Sequence, residues 1–266
     1  MEKKRTIRYL GPRETEVISR LSHEHITLVT SAQFSMLFKF SEGVKKQVLH
    51  RLKKKGIFRP IKRGIYLYSP LDAGPYGSQI NEWRIPAVLY PQKNYYVGYS
   101  VMYNYYGFTE QIFQTMHLLN TTHHAQREIG GVVFKSVKIS STRLYGIQTL
   151  RIHEADVQVS DLEKTLVDLL YFPNPVGGIR AAFAIFTKQA SQQKVDLRKL
   201  VHYAMQFPNS RVQKQIGFLL ESIGVSAKEL RPLKRSIQNT ALTTLVSGES
   251  RKGEINKTWG LILNVA

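Results

Sequence analysis

The stretch SEGVKKQVLHRLKKKGIFRPIKRGIYLYSP, residues 41–70, decides how the N-terminal part of this chain folds. Ser41 is the kind of residue that caps a helix. After it, Val44, Val48, Leu49 and Leu52 recur at helical spacing on one face, and Gly56 stops the pattern. Ile57-Phe58-Arg59-Pro60-Ile61, a Lys62-Arg63-Gly64 turn and Ile65-Tyr66-Leu67-Tyr68 then read as strand, turn and strand. Upstream, Pro12 opens a helix with Val17, Ile18 and Leu21 on one side. Residues 30–38 form a shorter helix around Phe34, Leu37 and Phe38. Three helices followed by a hairpin predict a winged helix-turn-helix over residues 1–70.

The same stretch carries Lys45, Lys46, His50, Arg51, Lys53, Lys54 and Lys55. The reading places Glu42, Lys45, Lys46, His50 and Lys53 opposite the apolar stripe. A recognition helix needs one packed face and one free to enter a major groove about 12 Å wide. Ser41, Glu42, Lys45 and Lys46 are then expected nearest base edges, with Lys53, Lys54 and Lys55 on phosphates. Lys62 and Arg63 sit at the hairpin tip, where a wing reaches a backbone or minor groove. The competing reading is a solvated lysine-rich helix. A basic helix, a glycine stop and a basic tip in one segment favour nucleic acid.

Charge supports that choice. The chain has 266 residues, 38 Lys and Arg against 19 Asp and Glu, and a net charge of +19. Residues 1–70 contribute +11, residues 71–187 nothing, and residues 188–266 +8. An ordinary middle between two basic ends points to a polyanion, because neutralised phosphates release counterions. A hydrophobic content of 42% predicts a packed core. There are no cysteines, which excludes disulfides and thiolate metal sites. No apolar run suits a membrane span or a secretory signal, so a cytoplasmic protein is expected.

Ser69-Pro70-Leu71-Asp72-Ala73-Gly74-Pro75-Tyr76-Gly77 reads as a linker, and a larger domain is expected over residues 78–266. There, strands are expected at Tyr95–Val97, 115–121, 131–139 and 143–153, with Gly130-Gly131 as a hairpin turn. Ser160 and Glu163 form the sequence pattern of a capping box opening a helix to Leu170. Further helices are expected at Ser100–Tyr106 and Gly178–Lys188, after the Asp196 cap, and from about Ser210 to Gly224. Trp259–Val265 reads as a last strand. The fold class is α+β: a winged helix-turn-helix, then a larger mixed α/β domain ending in a helical segment.

Several motifs resist a catalytic reading. Tyr99, Tyr103 and Tyr106 share a helix face and could stack on bases, but such a stripe is more often core. Asp156, Asp161, Glu163 and Asp168 make a dense acidic group with Lys164. Ser160 and Glu163 have a capping role there, and Asp161 suits a helix N-terminus. His123-His124 point to opposite faces of a strand, without further ligands. There is no phosphate-binding glycine loop and no nucleophile elbow. No catalytic residue, metal or cofactor is therefore expected. Arg198, Lys199, Arg211 and Lys214 read either as a second phosphate-contacting patch or as solvated charge.

The motifs also resemble a family. Val48-Leu49-His50-Arg51-Leu52-Lys53-Lys54-Lys55-Gly56-Ile57 with Lys62-Arg63-Gly64-Ile65-Tyr66 is similar to the N-terminal winged helix of AbiEi-type antitoxins. Tyr95-Tyr96-Val97-Gly98-Tyr99-Ser100, running on to Tyr106-Gly107-Phe108-Thr109-Glu110-Gln111, resembles the motif that opens that family's larger domain. Val159-Ser160-Asp161-Leu162-Glu163-Lys164-Thr165-Leu166-Val167-Asp168, Ile216-Gly217-Phe218-Leu219-Leu220-Glu221 and Trp259-Gly260-Leu261 continue the resemblance in order. It implies an antitoxin of a type IV toxin–antitoxin system linked to abortive infection and phage defence. Such a protein represses its own operon by binding inverted repeats in double-stranded promoter DNA. It counteracts a nucleotidyltransferase-like toxin without a stable complex. No heptad or dimer seam is visible, so a monomer that binds DNA cooperatively is expected. The basic final segment and the loop at 240–258 depart from the family pattern. The alternatives are a winged-helix transcription factor with a ligand-sensing domain, or a metal-dependent nuclease using the 156–168 carboxylates.

Overall fold

The computed structural model of the protein describes residues 9–73, 81–238 and 241–264. It is a mixed α+β fold in two compact units, Met1–Ile85 with Glu128–Val132, and Pro86–Arg127 with Val133–Ala266. Each is described by itself. Most of the 69–77 stretch read as a linker lies outside the described residues. The first of the two units runs to Ile85 and the second starts at Pro86.

In the first unit the chain runs α1 (Pro12–His23), β1 (Leu28–Thr30), α2 (Ser31–Phe38), α3 (Glu42–Lys54), β2 (Phe58–Lys62) and β3 (Ile65–Tyr68). Pro12 stands at the start of α1, where its missing N–H costs nothing. Thr30 and Gln33 form a capping box on α2. The three strands make an antiparallel sheet in the order β1-β3-β2, with a register shift between Pro60 and Lys62. Val17, Leu21, Phe34, Leu52 and Ile57 are fully buried, and Phe34 meets Phe58 edge-on. All three helices thus turn their apolar stripes inward. The sequence reading had no β1; a three-residue strand is too short to show alternation.

The division falls at α4 (Ile85–Leu89). Then come β4 (Tyr95–Gly98), α5 (Ser100–Tyr105), β5 (Thr115–Asn120), β6 (Ala125–Ile129), β7 (Val132–Lys138), β8 (Ile147–Ile152), β9 (Ala155–Ser160) and α6 (Leu162–Tyr171). Strands β4 to β9 form a six-stranded sheet ordered β6-β7-β5-β4-β9-β8. It is mixed: β4 pairs antiparallel to β5 and parallel to β9, and β5 pairs parallel to β7. Gly130 and Gly131 make the β6–β7 turn with φ of 61° and 82°, conformations open to glycine.

The chain continues as α7 (Ile179–Ala190), α8 (Leu197–Gln206), α9 (Ser210–Ser222) and α10 (Ala227–Ser236), then β10 (Thr243–Thr244), β11 (Glu254–Asn256) and β12 (Leu261–Leu263). Every residue of α6 from Glu163 to Leu170 is buried, which marks it as the central helix. Helices α7, α8 and α9 pack around it. The last three strands form a small sheet with β12 in the middle. The six-membered ring of Trp259 packs against α9 at Gly217, where a Cβ would stand 2.2 Å from the indole, so only glycine fits. Helix α10, opened by a Ser226–Glu229 capping box, was absent from the sequence reading. Tyr99 and Tyr103 are buried and Tyr106 half-buried, so the tyrosine stripe is core.

Candidate nucleic-acid interface

Helix α3 buries Val48, Leu49 and Leu52, and exposes Lys46, Gln47, His50, Arg51, Lys53 and Lys54. The 3.6-residue repeat sets Lys46, His50, Lys53 and Lys54 in one stripe along the helix. None of these four has an acidic partner within ion-pair distance among the described residues. Lys53 places its ammonium 5.7 Å from the Tyr66 ring centre, a contact that leaves the charge available. Ser41 holds the N-cap position with extended backbone but makes no side-chain cap, so its exposed hydroxyl is uncommitted. At the hairpin tip Arg63 is exposed and Lys62 half-buried. The bulge between Pro60 and Lys62 sharpens the local twist of the hairpin.

Lys45 departs from the expectation. It is buried, and its Nζ donates to Ser35 Oγ at 2.6 Å and to Glu42 Oε1 at 3.4 Å. Its position flanks the apolar stripe, and its ammonium ties α3 to α2 through Ser35. Lys55 is likewise engaged, on the Tyr9 carbonyl and the buried Glu14 carboxylate. Gln47 and Lys39 were missed. Lys39 closes α2 in a left-handed conformation (φ 32°) and is exposed in the turn before α3. The signal for Gln47 was its place beside Lys46 in the exposed arc.

The second basic patch is not assembled as expected. Lys214 is 1% exposed and donates to the Ala241 carbonyl at 2.5 Å and to Thr243 Oγ1 at 3.2 Å. Burial lowers its pKa below that of an ordinary lysine. Lys199 is held by Glu163 at 2.8 Å and Asp161 at 3.1 Å. Burial works against its charged form, but the two carboxylates more than offset it and raise its pKa. Arg211 is half-buried and Arg198 exposed. A cluster of exposed positive charge in this segment stands on α10, where Lys228, Arg231, Lys234 and Arg235 share one side.

The carboxylates at 156–168 are each committed. Asp156 pairs with Arg151 at 3.0 Å on the surface. Asp161 caps α6 by accepting from Lys164 N–H, and also accepts from the Tyr203 hydroxyl at 2.9 Å. The capping box expected of Ser160 and Glu163 does not form. Ser160 ends β9 and bonds Thr165, while Glu163 accepts from Asp196 N–H and Lys199. Asp168 is fully buried and meets Lys164 Nζ at 2.6 Å, Arg143 Nη2 at 3.4 Å and the Tyr96 hydroxyl at 2.9 Å. Burial pulls the Lys164 pKa down, opposed by that carboxylate. Among the described residues no three His, Asp or Glu side chains converge as metal ligands. His123 and His124 sit in the β5–β6 turn, one against Thr122 and the Tyr90 ring, the other accepting from Lys138 N–H. Among the described residues no helix is long and apolar enough to cross a membrane.

Neither a family model nor a curated protein matches the chain. Among solved structures, the crystal structure of the RV2827C protein from Mycobacterium tuberculosis is similar, with a TM-score of 0.64 at 12% identity. The match covers 98% of this chain and 94% of that one, and at such identity it shows a shared fold alone.

Proposed function

We propose that the protein binds double-stranded DNA through α3 and the β2–β3 hairpin. On this reading it represses its own operon and acts as the antitoxin to a nucleotidyltransferase-like toxin. The observation that carries the DNA half is the stripe of Lys46, His50, Lys53 and Lys54, which has no ion-pair partner among the described residues, together with the exposed Arg63 at the hairpin tip. An exposed row of cations with no internal counter-charge is costly in self-repulsion and is relieved by a polyanion. The element order helix, strand, helix, helix, strand, strand supports a winged helix, with α3 in the recognition position. The antitoxin half rests on the motif resemblance to AbiEi-type proteins across the larger unit. No catalytic or cofactor role is part of this reading.

The test is fluorescence-anisotropy binding of the full chain to its own upstream DNA and to a scrambled duplex, across a salt series. Selective binding that persists at physiological salt is expected. Equal binding to both duplexes that vanishes with salt would refute sequence-specific repression. Growth rescue on co-expression with an adjacent nucleotidyltransferase gene tests the antitoxin half separately.

A further inference from the structure

Helices α8 and α10 of the larger unit leave between them a groove of about 380 Å³ that plays no part in the DNA reading. Leu197, Val201 and Met205 follow one another at four-residue spacing along α8, so they form an apolar row about 12 Å long. Val225 and Pro232, before and within α10, complete the apolar lining. Leu197, Met205 and Val225 are only half-buried and Pro232 is exposed. The same two helices bury Leu200, Ala204, Leu230 and Leu233 in the core, so the row is a second apolar face that the fold leaves open.

Positive charge stands along its edges. Arg198 on α8 and Lys228 on α10 both line the groove and are exposed, and neither has an ion-pair partner among the described residues. The acidic side chain in the lining, Glu229, is folded back on its own helix start, where it accepts from the Ser226 N–H at 3.2 Å and from the Ser226 hydroxyl at 2.7 Å. Arg198 lies within the field of that carboxylate. The excess positive charge is therefore that of Lys228, with the exposed Arg231, Lys234 and Arg235 further along α10.

This combination selects among occupants. A nucleic-acid backbone would use the cations and leave the apolar row unused. A second copy of this chain, at +19, would bring like charge to the same edges. An amphipathic helix whose apolar stripe is flanked by carboxylates matches both the row and its rim. We infer that the α8–α10 groove docks an acidic amphipathic helix of another protein. Its apolar residues, spaced i, i+4 and i+7, seat along Leu197, Val201 and Met205. Its carboxylates meet Arg198 and Lys228, while the remaining α10 cations steer its approach.

The experiment is fluorescence anisotropy of a labelled peptide of about 14 residues, with leucine at i, i+4 and i+7 and glutamate beside them, titrated with the full chain at physiological salt. One control peptide replaces glutamate with lysine, and a second replaces leucine with serine. The parent peptide is expected to bind with a Kd below about 200 μM, and both controls at least about tenfold more weakly. Arg198→Glu combined with Lys228→Glu, both at exposed positions, is expected to weaken the parent peptide at least about tenfold and to favour the lysine peptide. Met205→Glu is expected to weaken the parent peptide as much, with circular dichroism as the folding control and the charge variant deciding if it does not fold. No binding of the parent peptide up to about 1 mM overturns the inference. So does an unchanged affinity in the charge variant. A serine peptide that binds as tightly as the parent overturns it as well, because the surface would then read charge alone, as a nucleic-acid patch does. A chain that sediments as a dimer, and as a monomer in Met205→Glu, would put a second copy in the groove and overturn it too. None of these outcomes bears on the DNA reading, which concerns the other unit.

Discussion

Lysine does opposite work in the two units. On α3, Lys46, Lys53 and Lys54 are exposed, with no carboxylate within ion-pair distance among the described residues. In the larger unit Lys164 is fully buried, gripped by Asp168 and surrounded by the rings of Tyr96, Tyr145 and Phe207 at 4.9–5.4 Å. Both sets belong to helices of similar length. What separates them is which side of the apolar stripe they occupy and whether a partner carboxylate waits there. A cation without an internal partner is free to bind something else, whereas a buried ion pair has already used its binding capacity within the fold.

The largest effect that could break this contrast comes from Asp168. Asp168→Ala would leave Lys164 and Arg143 buried without their carboxylate, and a loss of about 3–5 kcal/mol in urea unfolding is expected. A loss under about 1 kcal/mol would show that water reaches the cluster and that its burial is nominal.

His117 sharpens the contrast through pH. It is buried beside Ser100 Oγ at 3.2 Å, and burial, reinforced by Lys135, lowers its pKa to about 4. The unfolded chain holds that proton with a pKa of about 6.5. Below pH 6.5 the unfolded state therefore binds the proton first, and stability falls as pH drops from about 6.5 to about 4. Up to about 3 kcal/mol is expected to be lost over that window and largely retained in His117→Gln. Parallel pH profiles for the two proteins would sink the assignment.

On the exposed side, Lys46→Ala with His50→Ala is expected to weaken operator binding by about 1–3 kcal/mol and lower the salt slope, with the melting temperature unchanged. Lys45→Met should do the reverse, costing about 1 kcal/mol of stability through the lost Ser35 contact and leaving the salt slope intact. If Lys45→Met flattened the slope as Lys46→Ala does, burial would be a poor guide to which lysine meets DNA. The smallest effect belongs to the exposed Arg151–Asp156 pair, where Asp156→Asn should change stability by less than about 0.5 kcal/mol.

The sequence made the first unit legible because its pattern is local. Val44, Val48, Leu49 and Leu52 mark the inward face of α3, and Pro12, Ser41 and Gly56 mark helix ends within one turn of where they act. Asp196 and the stripe of α9 were readable for the same reason. What escaped depends on residues far apart in the chain. Lys45 finds Ser35 on another helix. Glu163 turns from its own helix start to Lys199 and Asp196, so a pattern fit for a capping box served a different contact. Lys214 looked like surface charge because nothing near it in sequence announces the Ala241 carbonyl. Helix α10 escaped despite a Ser226–Glu229 start, because Pro232 inside it reads as a breaker.

The indole of Trp259 against Gly217 has a consequence for how the protein is made. Helix α9 leaves the ribosome well before the residue that covers it, and Trp259 also donates to Glu221 on that helix at 2.8 Å. Until Trp259 emerges, the bare glycine surface and Glu221 lack their lid. The larger unit therefore completes this part of its core only after Trp259 has emerged, while helices α1 to α3 have long been free to collapse. A nascent chain stalled before Trp259 would present an unfinished C-terminal core to chaperones and proteases.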